Sequence, residues 1–550
     1  MSTKYIFVTG GVVSSVGKGI TTACLGRLLK NRGFKVTVQK LDPYINVDAG
    51  KIDAFQHGEV FVTDDGAETD LDLGHYERFV DENLTHLASV TTGKIYDAVI
   101  QKERRGEYHG GTVQVIPHIT NEIKSRIKLN AEQSAADIAI VEIGGTVGDI
   151  EGLPHLEAIR QFRKDAGPAN VMYVHVTLIP SVGPWGEQKS KPTQHSVIKL
   201  REIGIQPDVL ICRTKRPISE EMRDKISLFC DVDKEAVIEA RDAETIYEIP
   251  LKFEKDGLGD LVTKRLELEN GTPDLAEWKR MVGILKKPKH KAVIAIVGKY
   301  IGNGDTYISM AEAAKHGAIA NDTEARIKWV HSQDVTEANL DEKLGDVDAL
   351  IVAGDISPTT IEGNLTAIAY ARENNVPFLG TCYGLHLAVV EVARHVCKLK
   401  RANSEEVDPD TPDPVIHILP EQADVEDKGA TMRLGIFPCR ILDGTLASRL
   451  YKTDLIHERH RHRYEVNNSY RARLERGGLV CSGVSPDYRL VEIVELKGHA
   501  FFIATQFHPE FKSRPNRAHP LFSGLVEAAL EYRERKGTAG SKPVKVAVDR

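Results

Sequence analysis

The stretch Thr9-Gly10-Gly11-Val12-Val13-Ser14-Ser15-Val16-Gly17-Lys18-Gly19 follows the apolar run Tyr5–Val8 and precedes a helix-like segment from Ile20 to Lys30. This order predicts a strand, a glycine-rich loop and a helix. Glycines let backbone N–H groups turn towards one anion, the start of a helix adds partial positive charge, and Lys18 adds a mobile cation. The loop therefore predicts a binding site for a polyphosphate.

This loop departs from the standard phosphate-binding loop in two ways. Five residues rather than four separate Gly11 from Gly17-Lys18, and Gly19 stands where a Ser or Thr would hold magnesium. We therefore expect other side chains to hold the metal. The alternative is an ordinary glycine-rich turn between a strand and a helix, but the context and the lysine favour the phosphate site.

Composition limits the class of protein. A chain of 550 residues is too long for one hydrophobic core, so two or more domains are expected. The net charge of -7 gives no general attraction to nucleic acid or to acidic lipid, and no apolar run reaches membrane-spanning length. A signal peptide is not recognisable, and seven cysteines without a close pair indicate free thiols in a reducing compartment. We therefore expect a cytoplasmic enzyme.

The first half of the chain alternates short apolar runs with helical segments such as 93–104 and 156–164. This alternation predicts a doubly wound parallel sheet, whose ligands gather at the carboxyl ends of the strands. The glycine-rich loop lies at such an end, as do the segments 40–43 and 142–149, and the acidic segment 65–74 is too polar for a core. The predicted strands are Tyr5–Val8, Lys35–Gln39, Asp137–Ile143, Val171–Val176 and Val209–Cys212.

Domain boundaries follow from changes in composition. We predict a first domain over residues 1–268 and a polar linker over 269–291, which contains Lys286-Lys287-Pro288-Lys289. A second α/β domain is predicted over 292–535, and it begins with a new apolar strand. Residues 536–550 are predicted to form a disordered tail. The two halves share no motif, so an internal repeat is not expected.

A second candidate site lies around Cys382. The sequence Gly380-Thr381-Cys382-Tyr383-Gly384 follows an apolar strand and precedes a helix, which is typical of a sharp turn that exposes a thiol at a helix N-terminus. Downstream, His508 and Glu510 could supply the base and the group that orients it. Taken singly, such a cysteine is more often a packing residue and such a histidine a surface residue. Together, in this order, they predict a Cys-His-Glu triad.

The chain resembles two families along nearly its whole length. Residues 1–268 are similar to the synthetase domain of the CTP synthase family, and residues 292–535 to class I glutamine amidotransferases. The matching stretches are 7–15, 40–48, 56–62, 70–78, 114–120, 141–151, 191–197 and 458–467. The resemblance implies two doubly wound α/β domains, an N-terminal phosphate-loop domain like dethiobiotin synthetase and a C-terminal glutaminase.

The resemblance also implies a two-stage reaction. ATP phosphorylates O4 of UTP, and ammonia from glutamine or from solution displaces the phosphate to give CTP. Lys18 and Lys40 would stabilise the transferring phosphoryl group, and Asp72 and Glu142 would hold Mg²⁺. The implied ATP-binding residues are Ser15, Val16, Gly17, Lys18, Gly19, Ile20, Asp72, Arg241, Asp242 and Ala243.

The other two ligands follow from the same resemblance. UTP, or CTP as the inhibitory product, would contact Ser14, Asp149, Ile150, Glu151, Lys189, Ser190, Lys191, Pro192, Thr193, Gln194 and Lys225. Lysines suit a triphosphate as point charges, although in isolation these would be read as solvated surface. Glutamine would contact Gly354, Asp355, Tyr383, Gly384, Leu385, His386, Glu406 and Arg463. GTP as an activator and a homotetramer are implied as well.

The glutaminase half departs from the family pattern. Asp355 and Ser357 replace family glycines, His386 replaces an amide that contacts glutamine, and Pro358-Thr359-Thr360 replaces a lid associated with GTP. A Cβ at a positive φ is strained, and a carboxylate near an oxyanion is unfavourable. We therefore expect altered glutamine use or altered GTP stimulation.

The synthetase half departs at two places. Residues 49–54 and 181–185 differ from the family, and neither stretch removes a residue to which chemistry is assigned. Two alternatives stay open: another ATP-dependent amidotransferase, and a non-catalytic nucleotide-binding assembly protein. UTP-to-CTP turnover with ammonium would separate all three.

Overall fold

The structure is a computed structural model that describes residues 2–269, 271–302, 304–354, 357, 359–419 and 432–538. It divides into two compact units. The first contains the chain up to Ala49 together with Asp72–Val282, and the second contains Gly50–Leu71 together with the chain from Gly283 onward.

Strands and helices alternate along most of the described chain. The strands are β1 Lys4–Gly10, β2 Val36–Asp42, β3 Phe61–Val62, β4 Glu68–Thr69, β5 Ser89–Thr91, β6 Ile138–Ile143, β7 Val171–Leu178, β8 Ser181–Val182, β9 Glu187–Gln188, β10 Val209–Thr214, β11 Val237–Arg241, β12 His290–Gly298, β13 Thr323–His331, β14 Ala349–Val352, β15 Phe378–Thr381, β16 Ala402–Ser404, β17 Asp413–Ile418, β18 Arg433–Ile441, β19 Leu455–His462, β20 Tyr464–Val466, β21 Leu479–Val484, β22 Val491–Leu496 and β23 Phe502–Thr505. The helices are α1 Lys18–Lys30, α2 Ala54–His57, α3 Asp72–Val80, α4 Thr92–Arg104, α5 Thr120–Gln133, α6 Leu153–Ala166, α7 Lys191–Glu202, α8 Glu220–Cys230, α9 Ile249–Lys255, α10 Leu258–Arg265, α11 Ala276–Lys286, α12 Ile308–Ala320, α13 Leu340–Leu344, α14 Ile361–Asn374, α15 Tyr383–His395, α16 Leu446–Tyr451, α17 Asn468–Arg476 and α18 Pro520–Thr538.

The sheet of the first unit is parallel, in the order β11-β10-β7-β1-β6-β2-β5. Strand β1 is central because its apolar residues are buried on both sides, with Phe7 paired to Val141 and to Tyr173. Strands β6 and β7 flank β1 on opposite sides, so the sheet extends in both directions from β1. The glycine-rich loop that follows β1 therefore lies at the switch point of a doubly wound sheet, where ligands bind. The predicted parallel sheet is confirmed.

The second unit is built on a mixed sheet in the order β13-β12-β14-β15-β23-β22-β21-β18-β19. Its first five strands are parallel, and the remaining four are antiparallel. Apolar clusters cover both faces of the parallel part, one around Leu350 and Leu385 and one around Ile351 and Phe522. The carboxyl ends of β15 and β23 meet side by side, and this places the Cys382 and His508 segments together.

The unit boundaries contain regular structure at the places where linkers were expected. Helix α11 and the start of β12 occupy most of the predicted linker 269–291, and α18 continues to Thr538. The rest of the predicted tail, from residue 539, lies outside the described residues. Segment 50–71, predicted within the first domain, groups with the second unit. None of the described helices could cross a membrane. All seven cysteines are free thiols.

Candidate active sites

The glycine-rich loop has the backbone of a strained ligand-binding loop. Gly17, which precedes α1, has φ 101°, and two residues with side chains, Val12 and Ser15, have φ of 80° and 55°. A β-branched residue in this region is uncommon and costs conformational energy. Such strain persists where the surrounding structure fixes a loop for a ligand.

Lys18 begins helix α1 and is largely buried. Its Nζ donates to the carbonyl oxygen of Gly145 at 2.7 Å, in the loop between β6 and α6. Burial lowers the pKa of Lys18, Glu142 opposes this effect, and the charge of Lys40 adds to it. A lysine held among backbone oxygens and carboxylates is poised to accept an anionic group.

The position of Gly19 explains why no Ser or Thr stands there. A Cβ built on Gly19 would lie 2.1 Å from Oδ1 of Asp72, the first residue of α3. Asp72 Oδ2 also accepts from Lys40 Nζ at 2.5 Å, and Asp42 Oδ1 lies 3.6 Å from the same Nζ. The space that a side chain at position 19 would occupy is therefore filled by a carboxylate.

Glu142, near the end of β6, supplies a further carboxylate beside these groups. Only 2% of it is exposed, and its Oε2 accepts from Tyr76 Oη at 2.5 Å. Burial and, after it, the charge of Asp72 raise the pKa of Glu142 to about 7, against the opposing charge of Lys40. No cluster of three or more acidic, histidine or cysteine ligands occurs in the described part of the chain. Because Mg²⁺ is usually held by one or two carboxylates plus phosphates, Asp72 and Glu142 fit this metal.

A cavity of about 250 Å³ adjoins the loop at the edge formed by β10 and β11. Six of the residues predicted to bind ATP line it: Val16, Gly17, Ile20, Arg241, Asp242 and Ala243. Apolar side chains, including Ile246 and Phe253, complete its wall. Ser15 lines a neighbouring cavity of about 400 Å³. Arg213 lines both cavities and was not predicted.

The residues predicted for UTP lie in separate segments of the same unit. Asp149 accepts from the N–H of Thr146 at 2.8 Å, whereas Ile150 is 82% exposed. Lys189 pairs with Glu187 at 2.5 Å. Ser190 precedes α7 and Lys191 to Gln194 form its first turn, where Thr193 and Gln194 are buried. Lys191 and Lys225 are exposed, and Lys191 Nζ lies 5.7 Å from the ring centroid of Phe229 on α8.

In the second unit, Cys382 lies on the predicted sharp turn between β15 and α15. Its φ of 50° is a strained value for a residue with a side chain. A Cβ on Gly384 would lie 2.2 Å from the carbonyl oxygen of Val352, and one on Gly380 would lie 2.8 Å from backbone atoms of Gly384. The two glycines are needed because the backbone passes so close to its neighbours.

His508 and Glu510 follow β23 and face Cys382. Nδ1 of His508 pairs with Oε1 of Glu510 at 2.7 Å. Burial lowers the pKa of His508, but the charges of Glu510 and Cys382 outweigh it and raise that pKa to about 10. A protonated imidazole beside a cysteine is the arrangement that activates a thiol nucleophile.

A cavity of about 410 Å³ opens over Cys382. It is lined by the triad and by five residues predicted to contact glutamine, Gly354, Tyr383, His386, Glu406 and Arg463. Gly384 packs behind the elbow, Leu385 lies in the apolar core, and Asp355 lies outside the described residues. Burial raises the pKa of Glu406 to about 7, although Arg463 opposes this shift. A buried carboxylate of this kind suits an incoming ammonium group.

Comparison with known proteins agrees with this pair of sites. Residues 4–268 match the family model for the CTP synthase N-terminus, and residues 304–528 match that for class I glutamine amidotransferases. A protein of Pelotomaculum thermopropionicum named CTP synthase is 58% identical over 97% of this chain and 99% of its own.

The chain belongs to the CTP synthase family. A second relative of that name, from Carboxydothermus hydrogenoformans, is 59% identical over 96% of this chain and 99% of its own. A third, from Halalkalibacterium halodurans, is 59% identical over 96% of this chain and 100% of its own. Such coverage spans both units rather than one domain.

Sequence reasoning missed part of the wall above Cys382. Glu59 and Val60 line this cavity although they belong to the part of the chain matched by the N-terminal model of the CTP synthase family. Glu59 is held by Ser309, whose N–H donates to it at 3.3 Å. In the sequence, the stretch 56–62 is notable only as a match to the family, and its pattern does not indicate to which unit it belongs.

Proposed function

We propose that this chain is a glutamine-hydrolysing CTP synthase that converts UTP into CTP at the expense of ATP. The observation that carries the proposal is that one chain bears a phosphate loop flanked by Lys40, Asp72 and Glu142 and also a Cys382 triad. Relatives named CTP synthase extend over the same two units.

In the first unit, Lys18 and Lys40 would stabilise charge on the phosphoryl group as it passes from ATP to O4 of UTP. Asp72 and Glu142 would hold Mg²⁺, which would neutralise phosphate charge. The adenine would occupy the cavity lined by Arg241, Asp242 and Ala243, and Ser15 to Ile20 would cradle the phosphates. Tyr76 keeps the Glu142 carboxylate oriented through its hydrogen bond.

The uridine nucleotide would bind on the side of the glycine-rich loop away from the proposed adenine cavity. Ser14, Asp149, Ile150, Glu151, Lys189 to Gln194 and Lys225 remain the proposed contacts for UTP and for CTP. Because Ile150 is 82% exposed and Trp185 on the β8–β9 hairpin is 89% exposed, we propose that further copies of the chain cover this surface in a homotetramer. Light scattering on the purified protein tests this assembly.

In the second unit, Cys382 would attack the side-chain amide of glutamine, and His508 would pass a proton to the leaving ammonia. Water then cleaves the thioester to release glutamate. The N–H groups of Gly354 and Tyr383 would stabilise the oxyanion, because Tyr383 begins helix α15 and the N-terminus of a helix carries partial positive charge. Glu406 and Arg463 would hold the amino and carboxylate groups of glutamine.

We retain the proposal that glutamine use or its stimulation by GTP is altered. Ser357 and His386 depart from the family pattern among the described residues, and Asp355 and Pro358 lie outside them. Ser357 accepts a hydrogen bond from Thr360 Oγ1 at 2.9 Å. GTP would act as an activator if the altered lid still recognises it.

One assay tests the whole proposal. CTP formation from UTP and ATP is measured with Mg²⁺ present, using ammonium or glutamine, each with and without GTP. A CTP synthase gives product with ammonium, and impaired glutaminase chemistry gives less with glutamine. Normal GTP-stimulated use of glutamine would contradict the altered-glutaminase proposal. ATP hydrolysis without uracil chemistry would indicate another amidotransferase, and no turnover would indicate an assembly protein.

A further inference from the structure

Strand β19 supports two members of the triad through its main chain. The carbonyl oxygen of Arg459 accepts from the N–H of His508 at 2.8 Å, and the carbonyl oxygen of Arg461 lies 3.6 Å from Cys382 Sγ, which donates to it. The position of β19 therefore sets where the nucleophile and the base lie.

The side chains of the same two arginines hold acidic residues of segment 50–71. Arg459 Nε pairs with Asp64 at 2.6 Å, and the arginine side chain is fully buried. Arg461 Nε pairs with Glu68 at 2.7 Å, and Arg461 Nη2 donates to the carbonyl oxygen of Gly50 at 3.1 Å. A buried charge is tolerated when it is paired and hydrogen-bonded, so these contacts fix the segment closely on β19.

Aromatic contacts connect this segment to the base as well. The ring of Phe61 lies edge-on to Phe511 with centroids 5.0 Å apart, and Phe511 stacks on His508 at 5.0 Å. The guanidinium of Arg459 covers the ring of Phe61 at 5.3 Å. The N–H of Ile436, on the neighbouring strand β18, donates to the carbonyl oxygen of Asp64 at 2.8 Å. Glu59 and Val60 of the same segment line the cavity over Cys382.

We propose that Arg459 and Arg461 are positioning residues for glutamine hydrolysis, and that segment 50–71 is an integral part of the glutaminase site. This inference rests on the proposed glutaminase activity. Each arginine holds the triad with its main chain and the cavity wall with its side chain. Loss of either acidic partner therefore shifts both the triad and the cavity wall. Misplacement of a catalytic group by about 1 Å can cost about 100-fold in rate.

The test uses the full chain with Asp64→Asn and Glu68→Gln, which remove charge while keeping the shape of each side chain. Glutamate release and alkylation of Cys382 by 6-diazo-5-oxo-L-norleucine report on the glutaminase, and ammonium-dependent CTP formation reports on the first unit. We expect glutamate release and alkylation to fall by about 10- to 100-fold. CTP formation with ammonium stays within twofold. Glu475→Gln, in the more exposed pair with Arg471 at 3.2 Å, is the control and leaves all three unchanged.

A charge exchange provides the second measurement. The double variant Glu68→Arg with Arg461→Glu should release glutamate faster than Glu68→Gln, because it restores an ion pair. Glutamate release within twofold of wild type in both single variants overturns the inference. If Asp64→Asn misfolds and loses ammonium-dependent activity, the result for Glu68→Gln decides the test. The Arg461 side chain is 30% exposed, so loss of its partner does not leave a fully buried charge unpaired. If the wild type makes no CTP with ammonium yet releases glutamate, the proposed synthase function fails, and the alkylation rates still test this inference.

Discussion

Replacing Gly19 with alanine should stop nucleotide chemistry while sparing glutamine hydrolysis. Gly19 lies in the first turn of α1 without a positive φ, so alanine adds no backbone strain. The added Cβ would instead lie 2.1 Å from Asp72 Oδ1 and 2.7 Å from Asp72 Cγ. The carboxylate must then move by roughly 1 Å or more to reach ordinary contact.

The size of the effect follows from what Asp72 does. Its displacement breaks the 2.5 Å contact with Lys40 and moves one of the two proposed metal ligands. A shift of about 1 Å in a reacting constellation can cost about 100-fold in rate, which equals about 2.7 kcal/mol of barrier. We therefore expect kcat for CTP formation to fall about 100-fold with ammonium and with glutamine alike.

The assay compares these two rates with glutamate release measured without nucleotides, which should not change. Gly283→Ala is the matched control because a Cβ there meets nothing within 4 Å, in helix α11. Retention of more than a third of the wild-type kcat in Gly19→Ala would refute the reasoning. A fully active Gly19→Ser would also refute it, because the hydroxyl would then be serving as the metal ligand of a standard phosphate loop.

Two further predictions concern the glutaminase. Cys382→Ala should abolish CTP formation from glutamine and leave the ammonium-dependent rate unchanged. The control variant Cys397→Ala should affect neither rate. CTP formation from glutamine by the Cys382→Ala variant would exclude Cys382 as the nucleophile. Because burial raises the pKa of Glu406 to about 7, its carboxyl group is protonated below that pH and ionised above it in the free enzyme. The KM for glutamine should therefore rise as the pH falls through 7, and Glu406→Gln should give a higher KM without this dependence.

The parallel strands could be predicted because strands buried on both faces are continuous apolar runs. Strand β19 shows where this method fails. Its sequence from Leu455 to His462 carries four basic or imidazole residues in a row and is typical of a basic surface patch. The structure buries Arg459 and His460 completely. Their partners include Asp64, which is 395 residues away in sequence, and no local pattern reports a pairing at that distance.

The sequence and the family resemblance propose residues for the nucleotide site, but they give no geometry for it. The absence of Ser or Thr at position 19 led to the expectation that other residues hold the metal, and the family resemblance supplied Asp72 and Glu142. Only coordinates reveal that the carboxylate of Asp72 occupies the space that a side chain at position 19 would need. A glycine that looks like a defect in a motif is here a consequence of packing between α1 and α3.

Two departures from the family pattern, His386 and Asp355, make different physical predictions. Burial lowers the pKa of His386 to about 4, so the imidazole is neutral at pH 7, and its Nε2 contacts Gln506 Oε1 at 3.0 Å. A neutral ring in place of an amide adds no charge that could oppose an oxyanion. Asp355 follows Gly354 in sequence and adds a carboxylate.

The family resemblance implies that the residue after Gly354 lies near the developing oxyanion, where a carboxylate is unfavourable. On that expectation, Asp355→Gly should raise kcat for glutamate release severalfold. His386→Gln should alter mainly the KM for glutamine, because it changes a hydrogen-bonding group without changing charge. Steady-state glutamate release for both variants, with ammonium-dependent CTP formation as the control, separates the two effects. A larger gain in kcat from His386→Gln than from Asp355→Gly would show that hydrogen bonding, rather than charge, limits glutamine hydrolysis in this chain.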